Sequence, residues 1–116
     1  MTLPTRTEAQ NILEEHVSDK YQRYHALMVA TAMEGYANKL GEDTELWFLT
    51  GYLHDLDYDE SPNEHPGPSL EWFKKWDYPE ELIQAVLAHA NGFNGFTTPA
   101  ESKLDKALIA CDEICG

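Results

Sequence analysis

The chain has 116 residues, 42% of them hydrophobic, so a single domain spanning 1–116 can bury roughly two-thirds of its unfolded surface without covalent staples. Twenty-one acidic against eight basic residues give a formal charge of −13, and such a surface repels a phosphate backbone, so long nucleic acids are not expected as partners unless metals mask the charge locally. Small anionic substrates are not excluded, because divalent cations would reverse the field locally.

The opening MTLPTRTEAQ carries no apolar run of the kind a signal peptide needs. No later stretch approaches the ~20 apolar residues of a membrane span, so a soluble cytoplasmic protein with no membrane partner is expected. Thr5-Arg6-Thr7-Glu8 has the form of a capping box and predicts a first helix through AQNILEEHV. Ser18 or Asp19 caps a second helix running to Leu40, with Gly41 placed as its stop. Tyr21, Tyr24, Met28, Ala32 and Tyr36 recur at helical spacing and predict its inward stripe, with His25 lying on that stripe. A third helix starting near Asp43-Thr44 reads ELWFLTGYLHD, apolar almost all round, as befits a central helix covered on several sides.

The stretch LDYDESPNEHPGP is dense in Pro, Asp, Asn and Gly and predicts a loop. It sets His54-Asp55 at the end of the central helix and His65 in or just after the loop. SLEWFKKW predicts a short helix whose Trp72, Phe73 and Trp76 cover either the core or a partner; the oligomeric state is left open. Asp77-Tyr78-Pro79-Glu80 opens the next helix, ELIQAVLAHA, with His89 on its inward stripe. After the loop NGFNGFT, Thr98-Pro99-Ala100-Glu101 predicts the start of the last helix. That helix carries Leu104, Leu108, Cys111 and Cys115 on one stripe, and Asp112 one turn after Leu108. The two cysteines are expected to be inert core thiols. With no strand pattern, the fold class is all-α: a compact bundle of five or six helices.

His25, His54, Asp55, His65, His89 and Asp112 are metal-binding side-chain types scattered over three-quarters of the chain. Singly, each has an ordinary structural explanation. Together they are harder to dismiss, because imidazoles on inward stripes need partners and a carboxylate beside an inward face needs a cation or donors. Consecutive residues of a regular helix point about 100° apart, so His54 and Asp55 can reach one ion only where the helix ends. The carbonyls at that end also favour a cation. Such a donor set suits Fe, Mn, Ni or Co better than Mg.

His25, then His54-Asp55, then Asp112, with HALMVA, GYLHDLD and SKLDKALIACDE around them, resemble the H…HD…D signature of the HD-domain superfamily of metal-dependent phosphohydrolases. The resemblance runs from about residue 18 to the end. It implies an HD-like helical bundle with the metal site at its centre. His65, followed by Pro and Gly, and His89 resemble the extra histidines of dinuclear members. On that pattern His25, His54 and Asp112 hold one metal, His65 and His89 a second, and Asp55 bridges them; a metal-bound hydroxide then hydrolyses a small phosphate ester, a nucleotide or related metabolite.

The chain departs from its relatives in places. Many continue HD with a Gly-Lys pair, where Asp57-Tyr58 stands here, so a phosphate ligand is lost and a carboxylate gained. Asp57 or Asp59 is a candidate proton carrier, outer partner of the metal site, or shaper of the loop. Lys103 is a candidate phosphate contact. The Gly-Tyr-Pro motif of the cyclic-di-GMP phosphodiesterases is absent, which argues against that substrate. The chain ends four residues after Asp112, where relatives continue with further helices, so a minimal or C-terminally truncated domain is expected. Two other readings accompany the hydrolase: an HD-type di-iron oxygenase, and a non-catalytic metal-binding or sensing module.

Overall fold

The computed structural model describes residues 2–115. Among them are six α-helices and no strand: α1 (Arg6–His16), α2 (Lys20–Leu40), α3 (Thr44–Leu53), α4 (Gly67–Lys75), α5 (Glu80–His89) and α6 (Lys103–Cys115). None of these is long and apolar enough to cross a membrane.

Local chemistry sets most of the boundaries. Thr5 accepts from the Glu8 amide while the Glu8 carboxylate accepts from the Thr5 amide, a complete capping box that closes two orphan donors of α1. Asp19 caps α2 through the Tyr21 amide, and Asp43 caps α3 through the Leu46 amide. Gly41, at φ 73°, stops α2 in the left-handed conformation that other residues adopt only with strain.

The last helix begins later than its sequence suggests. Thr98-Pro99 stays non-helical, and Ser102 is the cap: its carbonyl accepts from the Lys106 amide and its hydroxyl from the Asp105 amide. The Asp105 carboxylate in turn accepts from the Glu101 and Ser102 amides. This box satisfies donors at both ends of the turn, which a start at Thr98 would leave to solvent.

Helix α3 lies at the centre, with every residue from Trp47 to Leu53 buried. It packs against α1, α2, α5 and α6, and α4 covers α5. One apolar cluster joins Leu13 of α1, Leu49 and Leu53 of α3, Phe73 of α4 and Leu82 and Val86 of α5; Trp72 and Trp76 lie half-buried against it. A second joins Val29 and Met33 of α2, Trp47, Ala85, and Leu104 and Leu108 of α6.

The face that α2 buries is not the tyrosine stripe. Tyr21, Tyr24 and Tyr36 are exposed, and the inward residues are His25, Ala26, Val29, Ala30, Met33 and Ala37. The reason is the closeness of α3: a Cβ added at Gly51 would lie 2.9 Å from Met33 Cγ and 3.1 Å from Ala30 Cα. The α2 backbone at Ala30 meets α3 at Gly51 with no room for a tyrosine ring between them, and the tyrosines are left outside. His25 still faces inward, because it lies at the head of the stripe that continues through Val29 and Met33.

Gly51→Val is expected to lower unfolding stability by roughly 1–3 kcal/mol through overpacking against the α2 backbone. Gly35→Ala, also in a helix but with nothing near the added Cβ, is expected to raise it by about 0.5–1 kcal/mol. Urea denaturation of both variants checks the pair.

Candidate metal centre

Five elements each deliver a side chain to one point. His25 comes from the second turn of α2 and His89 is the last residue of α5. His54 occupies the C-cap of α3. Asp55 follows it where tight turns, Leu56 N–H to Leu53 O and Tyr58 N–H to Asp55 O, take the chain out of the helix. His65 closes the loop before α4, and Asp112 lies on α6. His25, His54 and His65 are buried, and His54 is completely so.

The Asp55 carboxylate divides its two oxygens. Oδ2 lies 3.0 Å from His54 Nε2 and 3.9 Å from His25 Nε2. Oδ1 lies 3.2 Å from His65 Nε2 and 3.6 Å from His89 Nε2. Asp112 Oδ1 lies 2.9 Å from His25 Nε2 and 3.2 Å from His54 Nε2, with its Oδ2 3.8 Å from His89 Nε2. Two donor groups result, His25-His54-Asp55-Asp112 and Asp55-His65-His89, each with its candidate ligand atoms within 4.8 Å of one another. Asp55 belongs to both.

Three of the four imidazoles are oriented from behind. His54 Nδ1 donates to the Gly51 carbonyl at 2.6 Å, and His89 Nδ1 to the Val86 carbonyl at 3.0 Å. Each ring thus occupies a carbonyl that its own helix end leaves unpaired. His65 Nδ1 donates to Asp57 Oδ1 at 2.5 Å. His25 differs, since its Nδ1 is buried with no hydrogen-bond partner. A carbonyl or carboxylate accepts only, so Nδ1 carries the hydrogen in those three rings and a neutral ring aims its Nε2 lone pair at the carboxylates. Lone pair against lone pair at about 3 Å is repulsive unless a proton or a metal ion lies between. The donor set therefore fits a divalent ion by chemistry as well as by position, with the back-bonding usual for metal-bound histidines.

The charges answer that field. Burial works against a charged His54, but Asp55 and Asp112 outweigh it and hold its pKa well above the ordinary histidine value. For His65, burial is likewise overcome by its hydrogen bonds to Asp55 and Asp57, and the pKa rises to about 9. Burial disfavours ionised Asp55, yet the surrounding imidazoles, His54 first, keep it well below the usual carboxylate range. Asp112 is lowered in the same way, chiefly by its hydrogen bond to His54 against the cost of burial.

Asp57 is fully buried, and its second oxygen accepts from the Ser69 amide in the first turn of α4 at 3.1 Å. That helix N-terminus compensates the buried charge, and the carboxylate fixes His65. Asp57 is thus a partner behind the site rather than a group open to substrate. Asp59 is tied to the amide and hydroxyl of Ser18, away from the cluster. Lys103, by contrast, lies at the opposite end of α6 from Asp112, about 13 Å along the axis, exposed and 3.7 Å from Glu42. Antiparallel packing of α6 on α2 carries it away from the centre.

Two cavities open onto the cluster. One, of about 250 Å³, lies over Asp55, His65, His89 and Asp112, with walls of Tyr58, Ala90 and Phe93. The other, of about 290 Å³, lies over His25, Asp55 and Asp112, with walls of Tyr21, Gln22 and Tyr58. Tyr58 stands between them, at the position where relatives carry the lysine of the Gly-Lys pair, whereas Phe93 is not evident from sequence as part of the site. The only signal of Phe93 there is an aromatic residue in a loop four positions after His89.

Six helices around a central His/Asp cluster, drawn in this order from the chain, agree with one family. Residues 23–115 match the family model described as HD domain, and the chain belongs to this superfamily of metal-dependent phosphohydrolases. Comparison with curated proteins and with solved structures gave no match.

The raised His65 pKa makes a pH prediction for protein stripped of metal. A group whose folded pKa, about 9, exceeds its unfolded value near 6.5 contributes its full stability below about 6.5 and loses it as pH rises towards 9. Calorimetry in a chelator is expected to show the melting temperature falling across that window; a rise would contradict the assignment.

Proposed function

We propose that the protein is a metal-dependent phosphohydrolase acting on a small phosphate ester, a nucleotide or related metabolite, through a dinuclear centre. The observation that carries this reading is the Asp55 carboxylate, which faces His25 and His54 with one oxygen and His65 and His89 with the other. On this reading His25, His54 and Asp112 hold one ion, His65 and His89 hold the second, and Asp55 bridges them. The imidazole-rich set favours Fe, Mn, Ni or Co over Mg. Ions bound there would lower the pKa of water and offset charge on the phosphoryl oxygens during in-line displacement.

The protein residues supply the rest. The back-bonded rings of His54, His65 and His89 keep their Nε2 atoms aimed at the centre without reorganisation. Asp57 holds His65 from behind, and the Ser69 amide at the start of α4 holds the other oxygen of that carboxylate. Two openings reach the cluster, one over His65 and His89 and the other over His25, and both give access to Asp55 and Asp112.

Elemental analysis of protein purified without added metal is expected to give about two transition-metal ions per chain. Chelation is expected to abolish phosphate release from nucleotide esters, and Mn or Co to restore it without oxygen. Strict iron dependence with oxygen consumption and no phosphate release would replace hydrolysis by oxygenation at the same ligands. Metal content with neither reaction would make the domain a binding module.

Asp57→Asn is expected to weaken metal affinity about 10–100-fold while leaving the fold intact. Competition with a chromophoric chelator measures it. An unchanged affinity would remove Asp57 from the centre's support.

A further inference from the structure

We propose that this centre selects esters bearing a single phosphoryl group on an aromatic or flat apolar moiety, which Tyr58 and Phe93 hold; the proposal rests on the hydrolase reading above. Both rings stand edge-on to His65, at centroid distances of 5.5 Å and 5.9 Å. Both are half-exposed, which leaves apolar area beside the opening rather than in the core.

Phe93 is held in place and not merely hung on a loop. Asn94, at φ 50°, donates from its side-chain amide to the carbonyls of Pro62 and His65, both at 3.0 Å. The loop is further closed by Gly92 N–H to Phe96 O at 2.6 Å. The loop bearing Phe93 is therefore bonded to the residue bearing the His65 imidazole, and the aromatic wall keeps its register with the ligands. Pre-set walls of this kind bind a flat group at low entropic cost.

The charge of the site points the same way. No lysine or arginine lines either cavity, and the charged groups there are Asp55 and Asp112 with the histidines. Arg6 is engaged by Glu34 and Glu45, Arg23 by the Val17 and Glu14 carbonyls, and Lys103 by Glu42. Two divalent ions would little more than balance the carboxylates of Asp55, Asp57 and Asp112. One phosphoryl group can be held by that small excess. The second and third phosphates of a polyphosphate would meet carboxylates and aromatic edges, with no lysine or arginine among the lining residues to accept them. In the reaction itself water supplies the new P–O bond, the ester P–O bond breaks, and a proton passes to the departing alkoxide or aryloxide, so nothing beyond water is consumed.

The test has a binding arm and a turnover arm on the manganese-loaded protein. In calorimetry, phenylphosphonate is expected to bind about tenfold more tightly than methylphosphonate. Phe93→Ala and Tyr58→Ala are each expected to reduce that ratio to within about threefold, chiefly through loss of phenylphosphonate affinity. In turnover, kcat/KM for a nucleoside monophosphate is expected to exceed that for the triphosphate at least tenfold, and Tyr58→Lys to narrow the gap. Equal binding of the two phosphonates, or equal turnover of mono- and triphosphate, would overturn the selectivity while leaving the hydrolase reading intact. Phenyl selectivity without hydrolysis of any ester would overturn the hydrolase reading and keep the aromatic clamp.

Discussion

The carboxylate of Asp55, with imidazole nitrogens against both of its oxygens, is the contact around which the remaining structure is arranged. Taken as neutral rings and ionised acids, these groups repel, because their lone pairs face one another. Positive charge is needed among them, and either protons or metal ions can supply it. The upward shifts of His54 and His65 and the downward shift of Asp55 are the protonic answer to the same demand that a divalent ion meets with more charge and better geometry. Stability, metal affinity and pH response are thus coupled through one cluster.

The scaffold serves that cluster by ending helices where ligands are needed. His54 and His89 each close a helix by donating back to the carbonyl three residues earlier, so the groups that terminate α3 and α5 also aim Nε2 at the centre. Gly51 has two roles at once. Its missing side chain lets α2 approach α3, which brings His25 to His54, and its carbonyl fixes the His54 ring. Asp57 does comparable work from the loop: one oxygen holds His65 and the other ties the start of α4. Each ligand is thereby backed by a second contact that is itself part of the fold.

Outside the centre the protein is strongly acidic, and its few cations are committed to ion pairs or carbonyls or lie on the outer surface. The mouth of the site follows this pattern, with tyrosine and phenylalanine where a cationic phosphate ligand could have stood. Electrostatic attraction for a substrate then resides in the centre alone, and the walls discriminate by shape and polarity.

The sequence by itself determined the first three helices, because their signals are local: the Thr5–Glu8 box, the Asp19 and Asp43 caps, the Gly41 stop and the apolar run of α3 all act within a turn. It also held the ordered set of His25, His54, Asp55 and Asp112, since a doublet at a helix end followed by an acidic loop is written in consecutive residues. Tertiary structure alone decided which face of α2 turns inward. Tyrosine and alanine stripes share helical spacing, and only the close approach of α3 at Gly51 selects the small one. Distant partners likewise assigned the loop carboxylates, Asp57 to His65 and Asp59 to Ser18, and carried Lys103 to the far end of α6. Tyr58 and Phe93 became walls of one opening for the same reason. Short-range hydrogen bonding fixes where an element begins and ends, whereas side-chain direction depends on neighbours that the chain brings together from far apart.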